Sequence, residues 1–244
     1  MASAPVDAPS SSNLGKGKIA QAVAILGERI VTGDYPADRP LPVEADLANA
    51  LNVGRSVVRE AVKVLASKGL VSARPRLGTV ILPRNQWNLF DRDVLHWLLR
   101  PQEVDPALVR DILVARRIIE PEAAMLAASN ASEADKAEIR AAYEAMVASV
   151  GDPAASVRAD IRFHTAVLIA SHNAILTAFS PALSAILSAF FEISIQNAEV
   201  FPNNLPAHGR VSDQIIAGDP EAAREAMLGV LRFTEDDISQ RLGC

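Results

Sequence analysis

Apolar residues recur at helical spacing at Ile19, Val23, Leu26 and Ile30, and the stripe stops at Gly33. A proline-edged stretch, YPADRPLP, follows, and then two helical patterns separated by a break from Asn52 to Gly54. The first runs through Leu47 and Leu51, and the second turns Val57, Ala61, Val62 and Leu65 inward. Two helices joined by a three-residue turn predict a helix-turn-helix. The β-rich runs LVSA and TVIL then flank RPRLG, which predicts a hairpin with a basic tip and completes a winged helix.

Beyond the hairpin the period changes. Trp87, Leu89, Phe90, Val94, Leu95, Trp97 and Leu98 make residues 84–105 an amphipathic segment, which predicts a linker that docks two domains together. Residues 106–244 read as helices throughout, with breaks near Asn130 to Ser132, Gly151 to Pro153, Asn173, Pro181, Pro202 to Pro206 and Gly218 to Pro220. The expected fold class is mainly α: an N-terminal winged helix-turn-helix over residues 14–83, then an all-helical bundle of six to seven helices. Residues 1–13, small, polar and proline-bearing, are expected to be disordered.

Charge separates the same two regions. The net charge of −5 over 244 residues argues against nucleic acid only as an average. Residues 14–84 carry eleven Lys/Arg against six Asp/Glu, whereas residues 85–244 carry thirteen against twenty-two. The basic domain can therefore face phosphate. Its basic residues are also placed for it: Arg55, Ser56, Arg59 and Lys63 lie on the outward face of the second helix, near its amino end, where recognition helices meet DNA. There is no membrane-length apolar run or secretory segment, and Cys244 is the lone cysteine, so a reducing, cytoplasmic setting is expected.

In the helical region polar groups fall on inward stripes. Leu108, Ile112, Ile119 and Ala123 form one such stripe, with Arg116 in its missing place. Asp160 and His164, four residues apart, share a face with Val157, Ile161 and Leu168. After a loop, FPNNLPA, that could cap a cavity, His208 opens a helix whose inner face holds Val211 and Ile215. A buried unpaired charge costs several kcal/mol, so each group needs a partner. For Arg116 the partner is an anionic ligand or Glu120 one turn on; for Asp160 it is a metal, a ligand or His164 itself. Three helices aiming such groups inward predict a small-molecule site. Ser194 and Asn197, placed by the stripe Leu183, Leu187 and Phe190, are candidate additions, and Met227, Val230 and Leu231 form the buried face of the last helix.

The stretch LPVEADLANALNVGRSVVREAVKVLASKGLVSARPRLGTVI resembles the winged-helix domain of the GntR family of bacterial transcriptional regulators. That resemblance implies operator DNA as partner, Arg55 and Arg59 as the principal contacts with Ser56 helping, and Arg76 and Gly78 as a wing entering the minor groove. Ala45 departs from members that place an arginine there. The helical region resembles the FCD effector domain of the FadR-type subgroup, whose members commonly hold a divalent metal, Zn or Ni, through one Asp and three His. Asp160, His164 and His208 match the first three positions, and Val230 stands at the fourth. The motifs PRNQWNLFDRDVLHWLL, DIRFH and SHNAIL resemble the galactonate-operon branch of this subgroup, which implies a sugar-acid effector and also lacks the final histidine.

A sugar acid suits the candidate residues. Its carboxylate fits the Arg116 fork, and its hydroxyls suit Asp160, His164, Ser194, Asn197 and His208, directly or through a metal. The resulting expectation is a homodimeric repressor released from its operator by an aldonate such as galactonate. The alternative is a metal-dependent sensor of another small carboxylate, a dicarboxylate or lactate. An enzyme is not expected: the chain has no HExxH, no nucleophile elbow and no glycine-rich phosphate loop.

Overall fold

The computed structural model describes residues 17–37, 39–100, 104–194 and 200–242. The predicted tail at residues 1–13, Asn197 and Cys244 lie outside the described residues. The chain divides into two compact units, one ending at Trp97 and one beginning at Leu98.

In the first unit α1 (Lys18–Val31) buries Ala22, Val23, Leu26 and Ile30 against α3. Ile19 sits in the first turn of α1 and is half exposed. α2 (Glu44–Ala50) begins with Glu44 and Asp46, whose charges favour the positive end of the helix dipole. Asn52, at φ 51°, makes the turn into α3 (Arg55–Ser67), a left-handed conformation Asn adopts more readily than most residues. Val58, Ala61 and Leu65 are fully buried, so the inner stripe of α3 starts one residue later than Val57.

The wing is β1 (Val71–Arg74) paired antiparallel with β2 (Gly78–Ile81), Val71 opposite Ile81 and Arg74 opposite Gly78. Both strands reach one residue nearer the tip than predicted, because Arg76 (φ 66°) and Gly78 (φ 82°) turn the chain in left-handed geometry within the tip.

The segment after the wing folds back onto this unit. A single 3-10 turn (Arg84–Gln86) leads to α4 (Arg92–Leu98). Trp87 Nε1 donates to the Leu82 carbonyl at 2.8 Å. Lys68, the cap of α3, donates to Asp91 at 2.9 Å and pairs with Asp93 at 2.8 Å, while Asn88 N–H donates to its carbonyl at 3.0 Å. The Trp97 ring lies so close to Gly27 that a Cβ there would stand 2.3 Å from it. Of the predicted apolar set, Val94, Leu95 and Trp97 are buried, and Phe90 is exposed.

The second unit consists, among the described residues, of α5 (Pro106–Asn130), α6 (Glu133–Ala148), α7 (Pro153–Ala170), the short α8 (Ala174–Ala178), α9 (Ser180–Ser194), α10 (Val200–Ala217) and α11 (Pro220–Leu242). Asp105, Ser132, Asp152 and Asn173 cap four of these helices by accepting backbone N–H groups. α5 packs on α7, α10 and α11, and α6 packs on α7 and α10. A Cβ at Gly209 of α10 would stand 2.7 Å from the Tyr143 hydroxyl of α6, so glycine sets that close approach.

One expectation is corrected here. FPNNLPA is helix, and His208 lies in the middle of α10 rather than at its start. Pro202 falls in the first turn, where N–H groups have no helical partner in any case. Pro206 forfeits one further bond, and burial of Asn204, Ala207, His208, Val211 and Ile215 on one side of the helix outweighs it.

Candidate functional site

In the first unit Arg55, Ser56, Arg59 and Lys63 are all exposed on α3, and Arg76 and Gly78 are exposed at the wing. Two of the cations are not free. Arg59 grips Glu44 of α2 with both ends of its fork, Nε to Oε1 at 3.1 Å and Nη2 to Oε2 at 2.8 Å. This contact holds the Glu44 carboxyl below its ordinary range. Lys63 pairs with Glu60 at 2.8 Å. Such solvent-exposed pairs are weak, so a phosphate can take either cation at little cost.

In the second unit α5, α7, α9, α10 and α11 enclose a cavity of about 330 Å³. Arg116, Asp160, His164, Ser194 and His208 all line it, so five of the six predicted effector residues share one space and the sixth, Asn197, is not among the described residues. Apolar walls come from Leu187, Phe190, Phe191 and Phe201.

The polar groups form a connected set. Arg116 Nε donates to Glu120 Oε1 at 2.5 Å, and both residues are 2% exposed. The expected pairing of Arg116 with Glu120 is therefore present, yet it uses one edge of the guanidinium only. Nη1 is buried and has no hydrogen-bond partner among the described residues. The guanidinium carbon stands 5.7 Å from the centre of the Phe190 ring, within cation–π range.

Glu120 also reaches His164: Oε2 lies 2.6 Å from Nδ1, a close contact approached obliquely, so neither atom makes a well-aligned hydrogen bond. A carboxylate accepts and cannot donate, so it selects the Nδ1–H form of His164. Burial pushes Glu120 up, but Arg116 and His164 together outweigh it and hold the carboxyl at about 2.

On α10, His208 Nδ1 donates to the Asn204 carbonyl at 3.0 Å, which fixes that ring in the same form. Both Nε2 atoms are thereby left as bare acceptors, and they face each other at 3.3 Å. Asp160 Oδ1 stands 3.8 Å from His164 Nε2 and 3.5 Å from His208 Nε2. Asp160 and His164 are thus beyond hydrogen-bond distance but within ion-pair range, so the self-contained hydrogen bond is not formed. Burial raises the Asp160 carboxyl, and His164, His208 and Arg116 outweigh it and bring it below its ordinary value.

Three acceptors converging in a buried space repel one another unless a cation joins them. Asp160, His164 and His208 can each turn one ligand atom inward, all within 4.8 Å of one another. Tetrahedral coordination at about 2.05 Å puts ligand atoms about 3.4 Å apart, close to the His–His separation found here. The side chains of Arg116, Glu120 and Asp160 sum to −1, a balance that suits a cation. The donor set therefore fits a metal. Val230, at the place of a fourth ligand, is 1% exposed and offers hydrocarbon, while its carbonyl accepts from Asn204 Nδ2 at 3.3 Å.

Ser194 is committed: its hydroxyl donates to Asp237 Oδ2 at 2.5 Å, and Asp237 is in turn held by Arg241 at 3.0 Å. Arg117 is exposed and reaches Glu235 at 3.5 Å. Sequence reasoning missed Glu120 as the orienting group for His164, and missed Glu44, Asn204 and Asp237 altogether. Asn204 stands four residues before His208, a helical spacing that the reading of that stretch as a loop concealed.

Comparison with known proteins agrees with both units. Residues 18–81 match the model of bacterial regulatory proteins, gntR family, and residues 111–233 match the FCD domain. The galactonate operon transcriptional repressor of Escherichia coli K12 is 37% identical over 210 residues, which cover 86% of this chain and 91% of that protein. The "Putative L-lactate dehydrogenase operon regulatory protein" of the same strain is 35% identical, covering 84% of this chain and 80% of that one. Among solved structures, Lar, which controls the agr system of Listeria monocytogenes, aligns with a TM-score of 0.63 at 19% identity, over 91% of this chain and 97% of that one, a likeness of fold. The chain belongs to the GntR family of bacterial regulatory proteins, with an FCD domain as its helical unit, and is a DNA-binding transcriptional regulator rather than an enzyme.

Proposed function

We propose that the chain is a homodimeric, cytoplasmic repressor of a sugar-acid catabolic operon, released from its operator when an aldonate such as galactonate fills the cavity of the helical unit. The observation that carries this reading is Arg116 Nη1, a buried guanidinium donor without a partner at a cavity it shares with Asp160, His164 and His208. A buried cation of that kind asks for a carboxylate. The galactonate-operon relative supports a sugar acid as its bearer.

Asp160, His164 and His208 would hold a divalent metal, Zn or Ni, which when bound supplies open coordination positions for effector oxygens. Glu120 orients His164 from behind, as the partners of metal-bound imidazoles do, and the Asn204 carbonyl does the same for His208. Arg116 binds and orients the effector carboxylate. The aromatic walls exclude water and strengthen that contact.

On the DNA side, Arg55, Ser56, Arg59 and Lys63 meet the major groove and Arg76 and Gly78 the minor groove. Two copies would present two such helices to a two-fold operator. Release is a population shift: a hundredfold loss of operator affinity requires the effector to favour the DNA-incompetent state by about 2.7 kcal/mol.

The relative from the lactate dehydrogenase operon favours a second reading, a sensor of lactate or a dicarboxylate at the same site. Calorimetric titration with galactonate, other aldonates, lactate and dicarboxylates, with and without chelator, separates the two. Binding of an aldonate that also releases operator DNA in a gel shift supports the first reading, and binding of lactate or a dicarboxylate alone overturns it.

A further inference from the structure

Asn204 lines the same cavity and is 8% exposed. Its main-chain carbonyl is occupied by His208 Nδ1 and its amide Nδ2 by the Val230 carbonyl. The orientation of the amide is decided by the latter contact: reversing it would set Oδ1 against the Val230 oxygen, acceptor against acceptor. Oδ1 is consequently left buried with no hydrogen-bond partner among the described residues. A buried amide oxygen without a donor is costly, so its partner belongs to whatever enters the cavity.

Two of the cavity's polar groups without a hydrogen-bond partner among the described residues are of opposite kind. Arg116 Nη1, on α5, can only donate; Asn204 Oδ1, on α10, can only accept. A ligand satisfies both when it brings an anionic oxygen to the first and a hydrogen-bond donor to the second. A hydroxyl on a carboxylic acid does this. A dicarboxylate without a hydroxyl does not, since its second carboxylate has no hydrogen to donate to the Asn204 oxygen.

We infer that Asn204 is the residue by which this regulator selects hydroxy acids over acids that lack a hydroxyl, reading one ligand hydroxyl through Oδ1. The inference deepens the sugar-acid reading and rests on it for the identity of the site. Asn204 also ties selectivity to the metal-binding donors, because its carbonyl orients His208 while its side chain reads the ligand.

The test is a cycle of ligand and protein changes on the full chain, read by calorimetry. Wild type and Asn204→Ala are titrated with D-galactonate and its monodeoxy analogues, with lactate and propionate, and with succinate. In wild type, removal of one particular hydroxyl is expected to weaken binding about tenfold or more. In Asn204→Ala that same removal should cost little further, and succinate should bind no worse than in wild type.

If every deoxy analogue keeps its relative affinity in Asn204→Ala, the inference is overturned while the sugar-acid reading stands. If galactonate fails to bind but lactate is preferred to propionate, and Asn204→Ala abolishes that preference, the sugar-acid reading falls and the inference stands. Binding of no hydroxy acid overturns both. Should Asn204→Ala not fold, the wild-type deoxy series decides alone: a flat series contradicts a hydroxyl-reading Asn204.

Discussion

Nε2 of His164 and Nε2 of His208 face each other at 3.3 Å, with His208 Nδ1 bound to the Asn204 carbonyl and His164 Nδ1 turned to the Glu120 carboxylate, so the space between them suits a cation. Metal is expected to bind with modest affinity in the wild type and more tightly when a sugar acid supplies the remaining oxygens. Val230→His adds the fourth ligand type and should raise affinity further, provided the ring is accommodated where valine is now 1% exposed. Metal content after mild chelation, for both proteins with and without galactonate, checks this. Stoichiometric, chelator-resistant metal in the wild type without galactonate would show that three ligands suffice.

Arg116 pairs with Glu120 and, under the proposed function, also binds the effector carboxylate, and its substitution should reveal both. Arg116→Ala removes the effector response and also strands the buried Glu120 carboxylate, a loss of about 3–5 kcal/mol of stability. Pairing it with Glu120→Gln should recover much of that stability and none of the response. Thermal unfolding and effector-dependent gel shifts read the two separately. Full effector release by the stable double variant would remove Arg116 from the ligand's contacts.

On the DNA face, Arg59→Ala should weaken operator binding about tenfold to hundredfold and leave effector binding intact. Glu44→Gln should act in the opposite direction, strengthening binding severalfold by releasing the Arg59 fork. Operator affinity should also fall steeply with salt, as counterion release demands. A Glu44→Gln protein no tighter than wild type would show that the pair opens without cost.

The start of α6 makes a prediction about acid. Ser132 and Asp135 form a reciprocal cap, and Asp135 also meets His172 Nε2 at 2.8 Å. Burial pushes the Asp135 carboxyl up, while Ser132 and His172 outweigh it and hold it below its ordinary value. A carboxyl depressed in the folded state stabilises fully above its unfolded pKa, and that stability fades as pH falls through the folded one. Asp135→Asn should therefore flatten the stability profile below about pH 4, and Ser132→Ala should cost about 1 kcal/mol at neutral pH. Chemical denaturation at pH 3 and pH 7 measures both effects, and an unchanged acid slope in Asp135→Asn would reject this assignment.

Much of this site was legible because its members violate a pattern. A guanidinium, a carboxylate and two imidazoles on otherwise apolar stripes cannot be explained by packing, so Arg116, Asp160, His164 and His208 announce themselves. Glu120 was half hidden: four residues from Arg116, it looks fully accounted for by that neighbour, and its second oxygen meets a helix elsewhere in the chain. Asn204 was hidden by two prolines whose local preference for a loop yields to burial along α10. Ser194 reaches the cavity as expected, but its hydroxyl is bound to a residue of α11 that no local spacing indicates. The helix-turn-helix was clear at the level of elements, and only the rotation of α3 by one residue escaped the periodicity.

Lys68 fastens the end of α3 to the segment by which the chain leaves the first unit. The ammonium at the end of α3 grips Asp91 and Asp93, the carbonyl of the same residue is bound by Asn88, and the strand of chain thus fastened runs on to Trp97, which wedges against Gly27. The segment by which the chain leaves the first unit is thus part of that unit's own packing, tied at one end to α3 and at the other to α1.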